Sequence, residues 1–359
     1  MTGNVDEARG AGVGQVMTVL GLISADRLGK TLMHEHLLFN LETYLHEPPD
    51  PADVPMMEEP ITLENLWWSR EHPMASRHNL YQTDAVLAAA EAARFKAAGG
   101  STIVEVSSIG LARDVRGLQQ IARQTGLNIV AGTGYYVGSS HPASLAGRSV
   151  EDITAELVRD LHEGLDGTTI RAGVIGEIGI SDPLYDTEAV VLRAAARAQA
   201  QTGAAMVVHP PPQHRSAEAF APWLDLLEGE GAIPSRVVLS HCEARIGERP
   251  GDFAVLAARG YMLALDTWGN IKHYESRNFT MPSDEDRVRL LARLVAEGLA
   301  AHLVLAQDVC YRDALTAYGG PGYGHLLRGI RPRLLAAGVP QAALDTMLVE
   351  NPRRVLAGT

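Results

Sequence analysis

The chain has 359 residues, of which 46% are apolar, and its formal net charge at neutral pH is −12. An acidic chain without a basic block is a poor partner for nucleic acid or for an anionic membrane surface. No apolar run approaches the ~20 residues that span a bilayer, and the first residues lack the apolar core of an export signal. Two cysteines, Cys242 and Cys310, are too few for a disulfide framework, so a cytoplasmic protein is expected.

Eight short apolar or β-branched runs predict strands. They are residues 30–36, 101–108, 128–136, 172–179, 205–211, 236–242, 261–267 and 302–308. Segments of helical periodicity separate them, one with Thr83 as its candidate N-cap and one in which Ser149 and Asp152 have capping-box spacing. This eightfold alternation predicts an α/β protein with a (β/α)8 TIM barrel, and a doubly wound open sheet is the alternative. Residues 1–14 are expected to be a flexible tail and residues 15–359 a single domain.

Three segments exceed a minimal barrel. Residues 16–29 predict an N-terminal β-hairpin at the bottom of the barrel. Residues 38–82 form an inserted loop region after the first strand, in which Trp67 and Trp68 are interpreted as a hydrophobic plug or a dimer contact. Residues 309–324 form a long Gly-rich loop after the last strand. Connections of this length are typical of loops that shape a functional site.

Six potential metal ligands fall at the ends of predicted strands. They are His34, His36, Glu177, His209, His241 and Asp308. The carboxyl ends of barrel strands converge on one face, so these residues are expected to share a pocket. His34 and His36 lie two apart on one strand and project to the same face, whereas Glu35 points away.

A shared anionic ligand is needed if the pocket holds two ions. None of the three lysines lies near the end of the fourth strand, which leaves Glu177 as the candidate bridge there. Each histidine taken alone could equally be structural, but the joint pattern indicates a metal-dependent hydrolase. The remaining histidines, His78 among them, are interpreted mostly as solvated.

The motifs MHEHL, GTGYY, GVIGEIG, VVHPP, SHCE and LALDTWG and the closing ENPRRVL resemble the phosphotriesterase family of the amidohydrolase superfamily. The resemblance spans roughly residues 16–357 and is greatest to the phosphotriesterase-related branch, in which a glutamate bridges the metals. It implies two divalent metal ions per chain, with Zn²⁺ expected and Mn²⁺, Fe²⁺ or Co²⁺ also compatible. It further implies that His34, His36 and Asp308 hold the more buried ion. His209 and His241 would hold the more exposed ion, and Glu177 would span both. A homodimer is the assembly that the resemblance implies.

Five residues are predicted to contact a small-molecule substrate. They are Tyr136, Asp266, Trp268, Lys272 and Arg312. The resemblance places Tyr136 beside the leaving-group pocket and Asp266 in the pocket at the end of the seventh strand, where Trp268 belongs to the same motif. The two basic residues of this set, together with Arg245, lie in or near loops of the catalytic face. They are candidates to clamp an anionic tail, with a solvated surface charge as the alternative interpretation.

The chain also departs from the family pattern at two positions beyond the bridge. Thr267 stands where many lactonases of the family have an arginine, and Ala244 stands where an acidic proton-relay residue is found. The resemblance therefore supports the metal site more strongly than it identifies the substrate.

The predicted reaction is hydrolysis of a small ester, lactone or N-acyl amide by a hydroxide that the two ions share, with Asp308 as the catalytic residue that takes up the proton. Phosphotriester hydrolysis is expected as a side activity, and a native organophosphate triesterase is the alternative. Two other classes stay open. One is a catalytically silent metal-binding barrel. The other is a mononuclear deaminase-type enzyme, although no HxxE-like pair follows His209 as that chemistry would require.

Overall fold

Eight parallel strands form a single sheet in the computed structural model, which describes residues 14–357. The strands are β1 (Thr31–Glu35), β2 (Thr102–Glu105), β3 (Asn128–Thr133), β4 (Val174–Gly179), β5 (Ala205–His209), β6 (Val237–Leu239), β7 (Met262–Leu265) and β8 (Leu303–Leu305). Each strand pairs in parallel with its neighbours in chain order. At the seam between β8 and β1 the Asp308 amide donates to the His34 carbonyl oxygen at 3.2 Å. The predicted (β/α)8 barrel is confirmed.

Helices alternate with these strands along the chain. They are α1 (Leu66–Glu71), α2 (Ala85–Ala97), α3 (Val115–Thr125), α4 (Val150–His162), α5 (Asp186–Thr202), α6 (Ala217–Gly229), α7 (Cys242–Ile246), α8 (Gly251–Ala258), α9 (Asp284–Ala296), α10 (Arg331–Ala336), α11 (Gln341–Asp345) and α12 (Asn351–Ala357). The capping box of Ser149 and Asp152 is confirmed at the start of α4. The N-cap predicted at Thr83 is wrong, because the Asp84 carboxylate accepts from the first amides of α2.

Two apolar clusters fill the barrel, and successive strand residues alternate between them. The larger cluster joins strands to the surrounding helices, and the smaller one contains strand residues together with the N-terminal hairpin and α12. On β2, Ile103 belongs to the larger cluster and Val104 to the smaller; on β8, Leu303 belongs to the larger and Val304 to the smaller. This period of two is what a strand buried on both faces produces.

Two of the three segments predicted beyond the minimal barrel contain short antiparallel strand pairs. Gln15–Thr18 pairs with Gly21–Ser24 in an antiparallel hairpin. In the insertion after β1, Phe39–Asn40 pairs with Tyr81–Gln82. A further short pair that the sequence did not reveal, His273–Tyr274 with Phe279–Thr280, follows β7.

The flexible tail predicted at residues 1–14 lies outside the described residues except for its last position. Among the described helices, none combines the length and the apolarity needed to cross a bilayer.

Candidate metal centre and active site

Three of the predicted ligands form one cluster at the carboxyl ends of β1 and β8. One ligand atom each of His34, His36 and Asp308 lies within 4.8 Å of the others. Asp308 Oδ1 is 3.3 Å from His36 Nε2 and 3.7 Å from His34 Nε2. His34 Nε2 is buried and makes no hydrogen bond within the described part of the chain. A buried polar atom is normally bonded, so this orphaned nitrogen fits the role of a metal ligand.

The other three predicted ligands lie directly beside this cluster. Glu177 Oε1 is 3.3 Å from His34 Nε2 and 3.0 Å from His209 Nδ1. His241 Nε2 is 3.0 Å from His209 Nδ1 and 3.6 Å from Glu177 Oε1. Glu177 Oε2 is in turn 3.9 Å from His36 Nε2. Glu177 is therefore the carboxylate that lies between the two histidine groups.

Buried hydrogen bonds fix the orientation of two of these imidazoles. His36 Nδ1 lies 2.9 Å from Ser107 Oγ, and that hydroxyl donates to Glu105 Oε1 at 2.6 Å. His241 Nδ1 lies 2.9 Å from Asp266 Oδ1, which also accepts from the His241 amide at 2.8 Å. Metal-binding histidines commonly use the distal ring nitrogen in this way, which turns the other nitrogen toward the ion.

The position of Asp266 corrects one prediction. Its side chain is fully buried beneath the histidines and does not line the cavity, because His241 engages its Oδ1 and His34 Nδ1 lies 3.1 Å from its Oδ2. It is placed to orient ligands and has no surface open to a substrate.

The electrostatics of the cluster favour added positive charge. Burial by itself would raise the pKa of Glu177, but the neighbouring His34 and His209 hold that pKa well below its ordinary value. Burial lowers the pKa of His209 to about 4. Burial also opposes the protonation of His34, but the nearby carboxylates of Glu177 and Asp266 outweigh it and raise the pKa of His34 to about 9. Divalent cations would supply the positive charge that these carboxylates attract, and imidazole nitrogens with carboxylate oxygens are a donor set that suits them.

Irregular backbone places several ligands. His241 and Asp308 both adopt left-handed conformations, with φ of 59° and 48°. Residues other than glycine seldom do so, and such strain concentrates at functional sites. The ladder of β1 is irregular between Leu32 and Glu35, and that of β4 between Ile175 and Ile178. Irregularities of this kind re-aim side chains next to active sites, and here they flank His34 and Glu177.

A cavity opens above the cluster, and Tyr136 forms part of its wall. The Tyr136 hydroxyl lies 3.4 Å from His209 Nδ1 and accepts from the Tyr44 hydroxyl at 3.1 Å. Burial raises the pKa of Tyr136 well above its ordinary value, so the phenol keeps its proton. It is therefore a hydrogen-bond donor at the cavity wall.

The structure places the other predicted substrate residues away from this wall. Trp268 is buried and its indole N–H donates to the Leu265 carbonyl oxygen at 3.0 Å. Lys272 Nζ lies 2.6 Å from Asp313 Oδ2. Trp268 and Lys272 instead line a neighbouring cavity that also reaches Asp308.

Arg312 likewise does not reach the active-site cavity. Its Nε donates to the Tyr81 carbonyl oxygen at 3.0 Å, and its guanidinium stacks on the Tyr81 ring at 4.6 Å. Lys272 and Arg312 are thus engaged within the loops that carry them and do not line this cavity, where the sequence predicted a clamp.

Two arginines of the cavity wall differ in whether the sequence indicated them. Arg245 was a candidate because it lies in or near a loop of the catalytic face, and it does line the cavity. Arg277 also lines the cavity but was missed, because it lies in the turn of the short pair after β7 and has no motif around it. Ser107 and Glu105 were missed too, although polar residues at the end of an apolar strand are a usable signal.

Comparisons with known proteins agree with this geometry. The model of the phosphotriesterase family matches residues 14–356. The N-acetyltaurine hydrolase of Salmo salar is 39% identical over 348 residues, which cover 96% of this chain and 98% of that protein. The crystal structure of a resiniferatoxin-binding protein from Rhodobacter sphaeroides has a TM-score of 0.94 at 38% identity and covers 99% of both chains. The phosphotriesterase homology protein of Escherichia coli, complexed with phosphate, has a TM-score of 0.74 at 28% identity and covers 92% of this chain and 99% of that one.

Proposed function

Because the chain belongs to the phosphotriesterase family and is a hydrolase, we propose that it hydrolyses the amide bond of small N-acyl amines with the help of two divalent cations. The observation that carries this proposal is the convergence of four imidazoles and two carboxylates, with an orphaned buried nitrogen, beneath one cavity. The name of the relatives at 39% identity supports an amide over an ester or lactone as the scissile bond.

The ligands divide between the two ions. His34, His36 and Asp308 would hold one ion, His209 and His241 the other, and Glu177 would contact both. When bound, the two cations supply Lewis-acid activation of water and of the scissile carbonyl group. Zn²⁺ is the first candidate, and Mn²⁺, Fe²⁺ and Co²⁺ suit the same donors.

The protein's own groups then manage protons and charge. Asp308 Oδ1 lies 3.3 Å from His36 Nε2. The other oxygen, Oδ2, is less closely engaged, since it lies 3.9 Å from His241 Nδ1. We assign to Oδ2 the role of accepting the proton that water loses when it attacks the amide carbon. Oδ2 then donates this proton to the amine nitrogen as the C–N bond breaks. The Tyr136 phenol, at the wall above His209, donates to the oxygen on which negative charge develops.

The test is a hydrolysis screen with the full chain after metal reconstitution. N-acetyltaurine, an aliphatic lactone, an aryl ester and a paraoxon-like triester represent the competing bond types. The amide is expected to have the highest kcat/KM, and Asp308→Asn should lower kcat by roughly 10²–10⁴-fold because the proton acceptor is lost. Glu297→Gln, which changes an exposed partner of Arg293 on the outer surface, is the matched control and should leave kcat unchanged.

Each alternative gives a different result in this screen. A preference for the triester by orders of magnitude would identify an organophosphate triesterase. Two bound ions without turnover of any bond type would identify a silent metal-binding barrel. One ion per chain would favour the deaminase type. Near-native activity of Asp308→Asn would contradict the role assigned to that carboxylate.

A further inference from the structure

We propose that Arg245 and Arg277 form an anion-binding subsite in the wall of the active-site cavity, which takes a sulfonate or carboxylate group on the amine portion of the substrate. This inference rests on the proposed amide hydrolysis and specifies its substrate class.

Arg245 is a buried cation without an acidic partner. Its side chain lines the same cavity as Glu177 and His209, and the residue is only 7% exposed. The one hydrogen bond that its side chain makes within residues 14–357 is long, from Nε to the Pro210 carbonyl oxygen at 3.5 Å. No carboxylate of that range forms an ion pair with it, whereas a buried charge ordinarily has a partner.

Arg277 lines the same cavity and also forms no ion pair among the described residues. Two aromatic rings hold its guanidinium, that of Tyr44 at 5.3 Å and that of Tyr274 at 5.9 Å. Such contacts fix the position of a guanidinium while leaving its N–H donors available. A third guanidinium, that of Arg215, stacks on the Phe279 ring at 4.0 Å beside this wall.

The cations repel one another, and no carboxylate among residues 14–357 forms an ion pair with Arg245 or Arg277. Burial, together with the like charges of Arg277 and Arg215, lowers the pKa of Arg245 to about 10. The buried Arg287, by comparison, is paired with Asp284 at 3.1 Å. An anion bound between Arg245 and Arg277 would supply the missing countercharge, and guanidinium groups bind oxyanions through paired N–H donors.

The position of Arg245 limits the size of the substrate. Arg245 lies in α7, and its amide donates to the carbonyl oxygen of His241, a predicted metal ligand, at 3.0 Å. Four residues of helix correspond to a rise of about 6 Å. The acid group and the scissile amide should therefore be separated by only a few bonds, as they are in the N-acyl derivatives of a two-carbon amino acid or amino sulfonic acid.

The kinetic test compares three amides of matched size on the metal-loaded full chain. N-acetyltaurine carries a sulfonate, N-acetyl-β-alanine a carboxylate, and N-acetylethanolamine no charge. One of the two acids should exceed the neutral amide in kcat/KM by at least about tenfold, since a charge-assisted hydrogen bond contributes that much. The better acid identifies the natural anion.

Two substitutions test whether Arg245 and Arg277 cause the preference for charged amides. Arg245→Gln and Arg277→Gln should each lower kcat/KM for the charged amides about tenfold or more and leave the neutral amide unchanged. Arg249→Gln is the matched control, because Arg249 is exposed and its Nε pairs with Asp252 at 2.9 Å, and it should change neither. Because Arg277 is half-buried at the cavity wall, its variant keeps the test valid if Arg245→Gln does not fold.

A binding measurement separates this inference from the proposed function. Calorimetric titration with propane-1-sulfonate, which has no bond to hydrolyse, should give a Kd at least about tenfold weaker for either arginine variant than for the unmodified chain. Equal affinity in all three proteins would overturn the subsite, and so would equal kcat/KM for charged and neutral amides. If no amide is hydrolysed, the proposed function fails and the titration alone decides the inference.

Discussion

His78 illustrates how much of a histidine's behaviour depends on contacts that lie far apart in the sequence. Its Nδ1 accepts from the Ile61 amide at 3.0 Å, and its Nε2 faces the guanidinium of Arg312. Burial and the positive charge of Arg312 together lower its pKa to about 4. The interpretation of His78 as a solvated residue was wrong, because nothing near it in the sequence indicates that Arg312 lies beside it.

The depressed pKa of His78 predicts a pH-dependent stability. In the unfolded chain this histidine titrates near 6.5, so as the pH falls the unfolded state binds the proton first. The free energy of unfolding should therefore fall between about pH 6.5 and pH 4, by about 1–2 kcal/mol after allowance for the partly exposed ring. His78→Gln cannot titrate, so its Tm should depend less on pH over this range. Thermal melts at several pH values test this, with His162→Gln on the outer helix α4 as the control. A variant with the unmodified chain's pH profile would contradict it.

At the scale of elements, Glu35 joins the two strands that close the barrel. Its Oε1 accepts from the Gln307 amide at 2.6 Å, and its Oε2 accepts from the Val309 amide at 3.0 Å. Asp308 lies between the two clamped amides, in the left-handed conformation that places its carboxylate among the histidines. Strand geometry alone predicted that Glu35 would point away from the ligands, but the seam that it forms depends on the closure of the whole barrel.

The clamp predicts a joint loss of stability and metal binding. Glu35→Ala leaves two buried amides without an acceptor and should lower the free energy of unfolding by about 2–6 kcal/mol. The ion held with Asp308 should also bind more weakly, because its ligand is no longer fixed. Urea unfolding and metal analysis measure the two effects.

Glu91→Ala is the matched control for that experiment. Glu91 accepts from the Thr316 and Ala317 amides at 2.9 and 3.0 Å, so it clamps the same loop farther from the metal cluster. Glu91→Ala should lower the free energy of unfolding and leave the metal affinity unchanged. An equal loss of metal from both variants would show that Glu35 acts only on general stability.

The difference between strands and loops explains which parts of the site could be predicted. The position of the candidate ligand His36 was predictable because a strand has a fixed direction and a period of two, which determine where its side chains go. Lys272 and Arg312 lie in long connections without a period, and their partners Asp313 and Tyr81 are set by tertiary packing. Arg277 was hidden for the same reason, since the short strand pair that presents it has only two residues on each side.

At the scale of the whole molecule, the barrel itself followed from the eightfold alternation of strands and helices, whereas the cavity depended on loops from several parts of the chain. The insertion after β1 contributes Tyr44 and Met74 to the cavity wall, and the connection after β7 contributes Tyr274 and Arg277. These segments meet only once the barrel has brought β1 and β7 to the same face. The barrel therefore follows from patterns within short stretches of sequence, whereas the lining of the cavity depends on contacts between distant loops.

The metal cluster links this architecture to stability, because its ligands come from strands and loops throughout the chain. An ion that binds only the folded state stabilises it by about 2.7 kcal/mol at a free concentration of one hundred times its Kd. Removal of both ions with a chelator should lower the Tm by several degrees, and Zn²⁺ should restore it. Elemental analysis should give two ions per chain before chelation and one in His209→Ala, because His209 contacts Glu177 but lies outside the cluster of His34, His36 and Asp308. Equal Tm values for the stripped and loaded chains would mean that the six side chains hold no ion, and the proposed hydrolysis would then lack the electrophile it requires.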